Sequence, residues 1–250
     1  MKLLLTGTLI LLNFTAYSSV LITSFNAFSG GSSNNSRKIA LKIYDKLKDK
    51  IDISHCPLTT AYDYATEQIA LCLANSTEQP KLVISLGEGG CGNLKLETVA
   101  YNWDNGWGAD NIGQRRRGSQ IIKGAPKSLG LNIDWSEPFC ELDYNKQKSI
   151  TLASNDAQRF VCNNTMYNMS YKFPELPYGF IHVPAHQCRP SLQKIEEATD
   201  IITQMIIKFS EMDTQLFTPY ETDKISLIAR RERSNSVCEK DFLRRLLTTY

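Results

Sequence analysis

The sequence lacks a strong excess of charge of either sign. Its 28 basic and 26 acidic residues nearly balance. A nucleic-acid-binding protein needs a basic surface of some size, and only two short basic clusters occur, at 115–117 and 230–233. We therefore expect no nucleic-acid partner. With 250 residues, 42% of them hydrophobic, the chain can bury one substantial core.

The sequence also lacks a long hydrophobic run beyond its first residues. Lys2 supplies a positive start, residues 3–12 are mostly apolar, and Ala16 and Ser18 are small residues where a signal peptidase reads the chain. This apolar run is about half of the ~20 residues that a membrane-spanning helix needs. Residues 1–18 are therefore predicted to be a signal peptide. The mature protein is expected to be secreted or periplasmic, with no membrane segment after signal removal.

Metal-binding patterns are scarce as well. The chain has no C-x-x-C pair and only three histidines, so no metal and no cofactor are predicted. It does have seven cysteines, an odd number for a protein in an oxidising compartment. Six of them could form up to three disulfides, in any of about fifteen connectivities that the sequence does not separate. Cys162 is the predicted free thiol.

Apolar periodicity predicts an α/β protein. Short apolar runs predict buried strands at 20–23, 82–86, 150–153 and 180–183. Helical spacing predicts a helix capped by Ser36, a second helix after Asp63 and an amphipathic helix over 195–209. Strands that alternate with helices favour a three-layer α/β/α sandwich with a mostly parallel, twisted sheet. Residues 19–210 are expected to form this domain and 211–250 a helical extension, which a disulfide could join to the body.

A glycine-rich segment, residues 87–92, fits the dinucleotide-binding pattern G-x-G-x-x-G after an apolar strand. That pattern should open a helix, yet residues 102–118 are rich in Gly, Asp and Asn and have a loop composition. We therefore reject nucleotide binding. The segment is interpreted as a strand exit where the backbone lies close to a neighbouring segment or ligand.

A thiol and an imidazole stand in two short segments that suit an active site. Cys162 lies near the start of a predicted helix, where the helix dipole favours the thiolate, and His182 lies in an apolar strand that ends at Pro184. Histidine is the usual base for activating a cysteine nucleophile near neutral pH. If the two side chains meet in space, the protein is a cysteine hydrolase. Taken singly, each is more often an ordinary core residue.

Four segments stand out, in this order: T-S-F-N-A-F-S-G-G at 23–31, L-E-T-V-A-Y-N at 96–102, F-V-C-N at 160–163 and G-F-I-H-V-P at 179–184. Together they resemble the pyroglutamyl peptidases of type I, which remove an N-terminal pyroglutamate. Residues 23–31 with Asn34 resemble the family's opening T-G-F-x-P-F-G-G…N-P-S, and residues 96–102 resemble E-R-V-A-x-N. Residues 160–163, F-V-C-N, match the family's nucleophile motif, and residues 179–184, G-F-I-H-V-P, match its histidine motif. The similarity spans about residues 20–210.

The resemblance implies a role for each site residue. Cys162 would be the nucleophile, His182 its base and then the acid for the leaving amine, and Glu97 the group that orients the imidazole. The side chains implied to bind the lactam ring are Phe25, Phe28, Phe160 and Asn34. The implied partner is a peptide with an N-terminal pyroglutamate, and no cofactor is implied.

The chain departs from the family pattern at three places. Trp107 stands where the family usually has an arginine, Gln158 and Arg159 alter the segment before the nucleophile, and Ser24 replaces a glycine. The alternative hypothesis is therefore a catalytically weak or inactive relative that binds peptide ends or another partner. Formation of a homo-oligomer, or the covering of a sheet edge, is left open for the extension.

Several asparagines begin N-x-S/T, the acceptor pattern for N-linked glycans. After residue 18 they are Asn34, Asn75, Asn163 and Asn168. Asn163 directly follows the predicted nucleophile, where a glycan would block the site. We expect the three asparagines near the site to be unused, or the source to attach no such glycans.

Overall fold

The strands that are apolar on both faces form the centre of one sheet. The computed structural model describes residues 19–28, 30–106, 108–153, 159–212, 219 and 223–249. Ten strands occur: β1 Val20–Phe25, β2 Ile53–Leu58, β3 Leu82–Glu88, β4 Leu94–Glu97, β5 Val99–Tyr101, β6 Asp104–Asn105, β7 Arg117–Ser119, β8 Ser128–Gly130, β9 Ile150–Ala153 and β10 Tyr178–Val183. The α-helices are α1 Asn35–Leu47, α2 Tyr64–Ala74, α3 Ser136–Cys140, α4 Tyr144–Lys148, α5 Val161–Lys172, α6 Leu192–Glu211, α7 Lys224–Arg233 and α8 Val237–Leu247. The predicted signal peptide lies outside the described residues.

The main sheet has six strands in the order β2-β1-β3-β10-β4-β9. All neighbouring pairs are parallel except β10 and β4, which are antiparallel. Every residue of β1 and β10 is buried, as expected for strands covered by helices on both faces. Helix α1 packs beside α6, and α2 packs beside α5, so helices form the two outer layers. The predicted α/β fold with a mostly parallel sheet is confirmed.

Two strands of the main sheet were not predicted. Strand β2 is an edge strand whose burial alternates, and its Pro57 lacks the N–H that a central strand would need. Strand β4, of sequence L-K-L-E, is short and carries two charged residues. Neither strand forms an apolar run, so a search for apolar runs passes over both. The omission of β4 matters because it carries Glu97.

The predicted helices occur, with one correction at a helix start. Asn34, not Ser36, caps α1: its backbone is extended, and its side-chain oxygen accepts a hydrogen bond from the Ser36 amide. Helix α2 follows Asp63, and α5 begins at Val161, one residue before Cys162. The buried side of α6 contains the whole predicted apolar set, namely Ile195, Ala198, Ile202, Met205, Ile206 and Phe209. In the described part of the chain, no helix is long and apolar enough to cross a membrane.

The cysteines pair as the odd count predicts. The structure forms three disulfides, Cys56–Cys72, Cys91–Cys188 and Cys140–Cys238, and leaves Cys162 free. The Cys140–Cys238 bridge joins α8 to α3. The Phe139 and Phe242 rings pack edge to face beside this bridge, with their centroids 5.3 Å apart. The division of the chain at residue 210 stays a prediction.

Replacing both Cys140 and Cys238 by serine is expected to lower the free energy of unfolding more than replacing both Cys56 and Cys72. The first bridge joins residues 98 apart and the second joins residues 16 apart. Chain entropy gives about 4.7 kcal/mol for a loop of ~100 residues and about 3 kcal/mol for one of ~15. Urea unfolding of the two double variants measures the difference. Equal losses would contradict the expectation.

Candidate active site

The predicted site residues meet at one edge of the main sheet, where β1, β3 and β10 end. A cavity opens there between the ends of these strands and the start of α5. Its lining consists of Phe25, Phe28, Asn34, Thr60, Glu88, Gly89, Phe160, Cys162, Ala185 and Gln187. This list contains every residue predicted to bind substrate and the predicted nucleophile. A second cavity, between the β4–β9 edge and the start of α6, is lined by none of them.

Cys162 is held at the start of α5 against a glycine. The residue is partly exposed, and it follows Val161, the first residue of the helix. A side chain on Gly87 would place its Cβ 3.0 Å from the Cys162 sulfur and 2.7 Å from the Phe180 ring. Only the absence of that side chain lets the sulfur lie there. The helix dipole favours a negative charge at this position.

His182 and Glu97 are buried side by side on two antiparallel strands. Strand β10 carries His182, strand β4 carries Glu97, and Glu97 Oε1 lies 2.7 Å from His182 Nδ1. The exposed fractions are 5% for His182 and 2% for Glu97, so water does not compete for this hydrogen bond. Since Nδ1 is taken by Glu97, Nε2 is the ring nitrogen left for Cys162.

The surroundings of His182 favour the imidazolium. Burial by itself lowers the pKa of His182, but the charge and hydrogen bond of Cys162, together with the hydrogen bond and charge of Glu97, raise this pKa well above its ordinary value. A buried imidazolium needs partners that carry negative charge, and Glu97 lies on its Nδ1. The arrangement can therefore hold a reactive thiolate and a proton donor in contact.

The glycine-rich segment 87–92 supports this geometry. A Cβ on Gly89 would lie 2.9 Å from the Cβ of His182. Strand β3 ends at Glu88, and the next element is β4 rather than a helix. The interpretation of this segment as a strand exit in close contact with its neighbours is confirmed.

Comparisons with known proteins agree with this geometry. Residues 18–209 match the family model described as pyroglutamyl peptidase. The chain belongs to the pyroglutamyl peptidase family. It is 30% identical over 180 residues to a pyrrolidone-carboxylate peptidase of Lactobacillus acidophilus, covering 66% of this chain and 82% of that protein. It is 28% identical over 219 residues to pyrrolidone-carboxylate peptidase 1 of Streptococcus pneumoniae, covering 79% of this chain and 96% of that protein.

Solved structures give the same fold. Pyroglutamyl peptidase I of Bacillus amyloliquefaciens superposes with a TM-score of 0.65 at 21% identity, over 78% of this chain and 98% of that one. The pyrrolidone carboxyl peptidase of Fervidobacterium islandicum superposes with a TM-score of 0.63 at 23% identity, over 80% of this chain and 99% of that one. The predicted family and the predicted enzyme class, a cysteine-type pyroglutamyl peptidase, are confirmed.

An aromatic slot lies beside Cys162. The rings of Phe28 and Phe160 pack against each other at a tilt of 59°, with their centroids 5.0 Å apart, and Tyr62 meets Phe160 edge-on at 5.3 Å. Phe25 is deeper, with its ring 6.3 Å from that of Phe180. Asn34 lines the cavity, but its side chain already binds the Asn26 carbonyl as well as Ser36. Its role in substrate binding stays a prediction.

Several residues that support the site were missed by sequence reasoning. The Asn163 side chain binds both the N–H and the carbonyl of Tyr101, at 2.9 and 2.8 Å. The Asn164 side chain accepts from the Asp63 amide and donates to Asp104 at 3.0 Å. These bonds fix the first turn of α5 and with it Cys162. For Asn163 a signal existed, because it is the last letter of the F-V-C-N motif.

Two arginines, Arg116 and Arg159, lie over aromatic rings around the cavity. Arg116 pairs with Asp63 and with the fully buried Asp104, and its guanidinium lies 5.1 Å from the centre of the Tyr62 ring. Arg159 has a left-handed backbone, with φ +50°, and its guanidinium lies 5.7 Å from the centre of the Tyr101 ring. Trp107 and Gln158 lie outside the described residues.

Glu88 is a carboxylate in the cavity that the sequence did not single out. Its Oε1 accepts hydrogen bonds from the backbone amides of Asn35 and His186. It thereby joins the start of α1 to the segment that follows β10. Glu88 lies inside the glycine-rich segment 87–92, whose sequence pattern is defined by its glycines.

Gly87→Ala is expected to lower kcat/KM on a pyroglutamyl amide by about 10²-fold, because the new methyl group displaces Cys162 or Phe180. Gly90→Ala is the matched control. It lies in the same segment, nothing approaches its added Cβ within 4 Å, and kcat/KM should stay unchanged. Steady-state kinetics on both variants, with circular dichroism to confirm folding, measures the effect. Equal activity in the two variants would contradict the packing described for Gly87.

Asp104 predicts a pH dependence of stability. Burial, opposed by Arg116 and Asn164, raises the pKa of Asp104 from 3.8 to about 6. Between these values the folded state holds a proton that the unfolded state releases, so this group makes stability fall as pH rises from about 4 to 6. Relative to Asp104→Asn, the wild-type protein should lose on the order of 2–3 kcal/mol across this range. Urea unfolding of both proteins at several pH values measures this loss of unfolding free energy. A difference between the two proteins that does not change with pH would refute the prediction.

Proposed function

We propose that this protein hydrolyses the amide bond after an N-terminal pyroglutamate through a Cys162–His182–Glu97 triad, and that it acts as an exported enzyme. The observation that carries the triad is the 2.7 Å contact between Glu97 Oε1 and His182 Nδ1, buried beside the one free thiol among the described residues. Family membership supports the reaction class.

The first half of the reaction forms an acyl-enzyme. The Cys162 thiolate attacks the carbonyl carbon that joins pyroglutamate to the next residue. The first hydrogen bond within α5 runs from the Asn164 N–H to the Phe160 carbonyl. The backbone N–H groups before Asn164 have no partner within the helix, so they would bind the oxyanion. His182 then gives its Nε2 proton to the leaving amine, and the C–N bond breaks.

The second half releases free pyroglutamate. Water attacks the carbonyl carbon of the thioester while His182 Nε2 takes a proton from that water. The C–S bond then breaks and restores the thiolate. Glu97 holds the imidazole in the tautomer and orientation that both halves need, and it stabilises the imidazolium. Phe28 and Phe160, packed against each other, would form one wall against the flat lactam ring, with Phe25 at the deep end of the slot.

Cys162→Ala is expected to lower kcat on a fluorogenic pyroglutamyl amide by at least about 10⁴-fold, because the nucleophile is lost. Glu97→Gln should lower kcat by up to about 10⁴-fold with little change in KM. The glutamine amide would hold His182 in the tautomer that does not serve catalysis. Residues 19–250 are assayed with a mild reductant, and a prolyl amide, which lacks the lactam carbonyl, is the control substrate. Full activity in Cys162→Ala would refute the assigned nucleophile.

The alternative is a weak relative that binds blocked peptide ends, and it is favoured by Trp107 and Gln158 at positions where the family has other residues. The same assay separates the two functions. No turnover by the wild-type protein under reducing conditions, with tight binding of a pyroglutamyl peptide by calorimetry, would favour the binding function.

Export rests on the predicted signal peptide and is supported by the three disulfides, which are typical of oxidising compartments. The full chain is expressed in a secreting eukaryotic cell, and the medium is examined for a protein that begins at Ser19. Retention of the whole chain inside the cell, with residues 1–18 still attached, would refute export.

A further inference from the structure

The asparagines that begin an N-x-S/T pattern differ sharply in their surroundings. Asn34, Asn163 and Asn168 are buried, with exposed fractions of 6%, 0% and 2%. A glycan is attached to the side-chain nitrogen, and in each of these residues that nitrogen donates a hydrogen bond: to Asn26, to Tyr101 and to Asn164, respectively. No sugar fits at these positions in this fold.

Asn75 stands apart from the other three. It is exposed at the carboxyl end of α2, where it is the C-cap residue, and Thr77, which completes the acceptor pattern, is exposed too. The hydroxyl of the intervening Ser76 binds the Cys72 carbonyl, so Ser76 and not Asn75 makes the side-chain bond to this helix end.

Asn75 also lies far from the active site. Helix α2 begins at the sheet edge that carries the cavity. Asp63, the residue just before this helix, donates its amide hydrogen to the side chain of Asn164, in the first turn of α5. The helix runs back to the opposite edge, where the following loop meets the start of β1 through the bond from the Ser19 hydroxyl to the Gln79 carbonyl. A glycan at Asn75 would leave access to Cys162 open.

We propose that Asn75 is an N-glycosylation site of the exported protein. The proposal rests on the export proposed above. The co-reactant is an oligosaccharide carried on a lipid diphosphate: the Asn75 amide nitrogen attacks the anomeric carbon and loses a proton, a C–N bond forms, and the C–O bond to the diphosphate breaks. The diphosphate leaves with the electron pair.

The test expresses the full chain in insect cells and, in parallel, residues 19–250 behind a leader known to direct secretion. Protein from the medium is treated with an amidase that removes N-linked glycans and converts each occupied asparagine to aspartate, and peptides are mapped by mass spectrometry. We expect conversion at Asn75 alone and a mobility shift that Asn75→Gln and Thr77→Ala both abolish. Thr77→Ser, which keeps the pattern, should keep the shift, and removal of the glycan should leave kcat/KM unchanged.

The outcomes separate the two proposals. Retention of the full chain inside the cell refutes export, while the version with the added leader still decides Asn75. Secreted protein with an unmodified Asn75 overturns the glycosylation proposal and leaves export standing. Conversion at Asn34, Asn163 or Asn168 in active protein would overturn the selection by burial.

Discussion

A buried hydrogen bond between two strands sets where this active site can be. His182 and Glu97 stand on β10 and β4, the one antiparallel pair of the main sheet, and their contact is shielded from water. In such surroundings the imidazolium is stable only with negative partners, so the thiol must come to its free nitrogen. The glycines at the end of β3 leave room for the thiol beside His182, and the asparagines of α5 hold the helix in place.

The cysteines place two opposite requirements on the protein. Cys162, the proposed nucleophile, must stay reduced, while Cys91–Cys188 joins the glycine-rich segment after β3 to the segment after β10, next to the cavity. Both segments carry cavity residues, Gly89 on one side and Ala185 on the other. The bridge thus holds together two walls of the site.

The titratable side chains around the site form two groups that share no partner. The inner one is the set of Cys162, His182 and Glu97. The outer one, behind the aromatic slot, joins Arg116 to Asp63 and Asp104. Arg116 also lies over the Tyr62 ring, which packs against Phe160, so this outer group supports the wall of the slot.

Residue order is enough to predict the strands with apolar runs, the amphipathic α6, the free cysteine and the order of motifs that marks the family, because these features are local or depend on residue type. Packing in three dimensions sets the pairing of the cysteines, the antiparallel insertion of β4 and the contact of Glu97 with His182, which the family resemblance implied but no local pattern predicts. Glu97 lies 85 residues from His182 in the chain, and no periodicity records which strands become neighbours. The same holds for the asparagines of the N-x-S/T patterns, which are alike in sequence and whose burial is set only by packing.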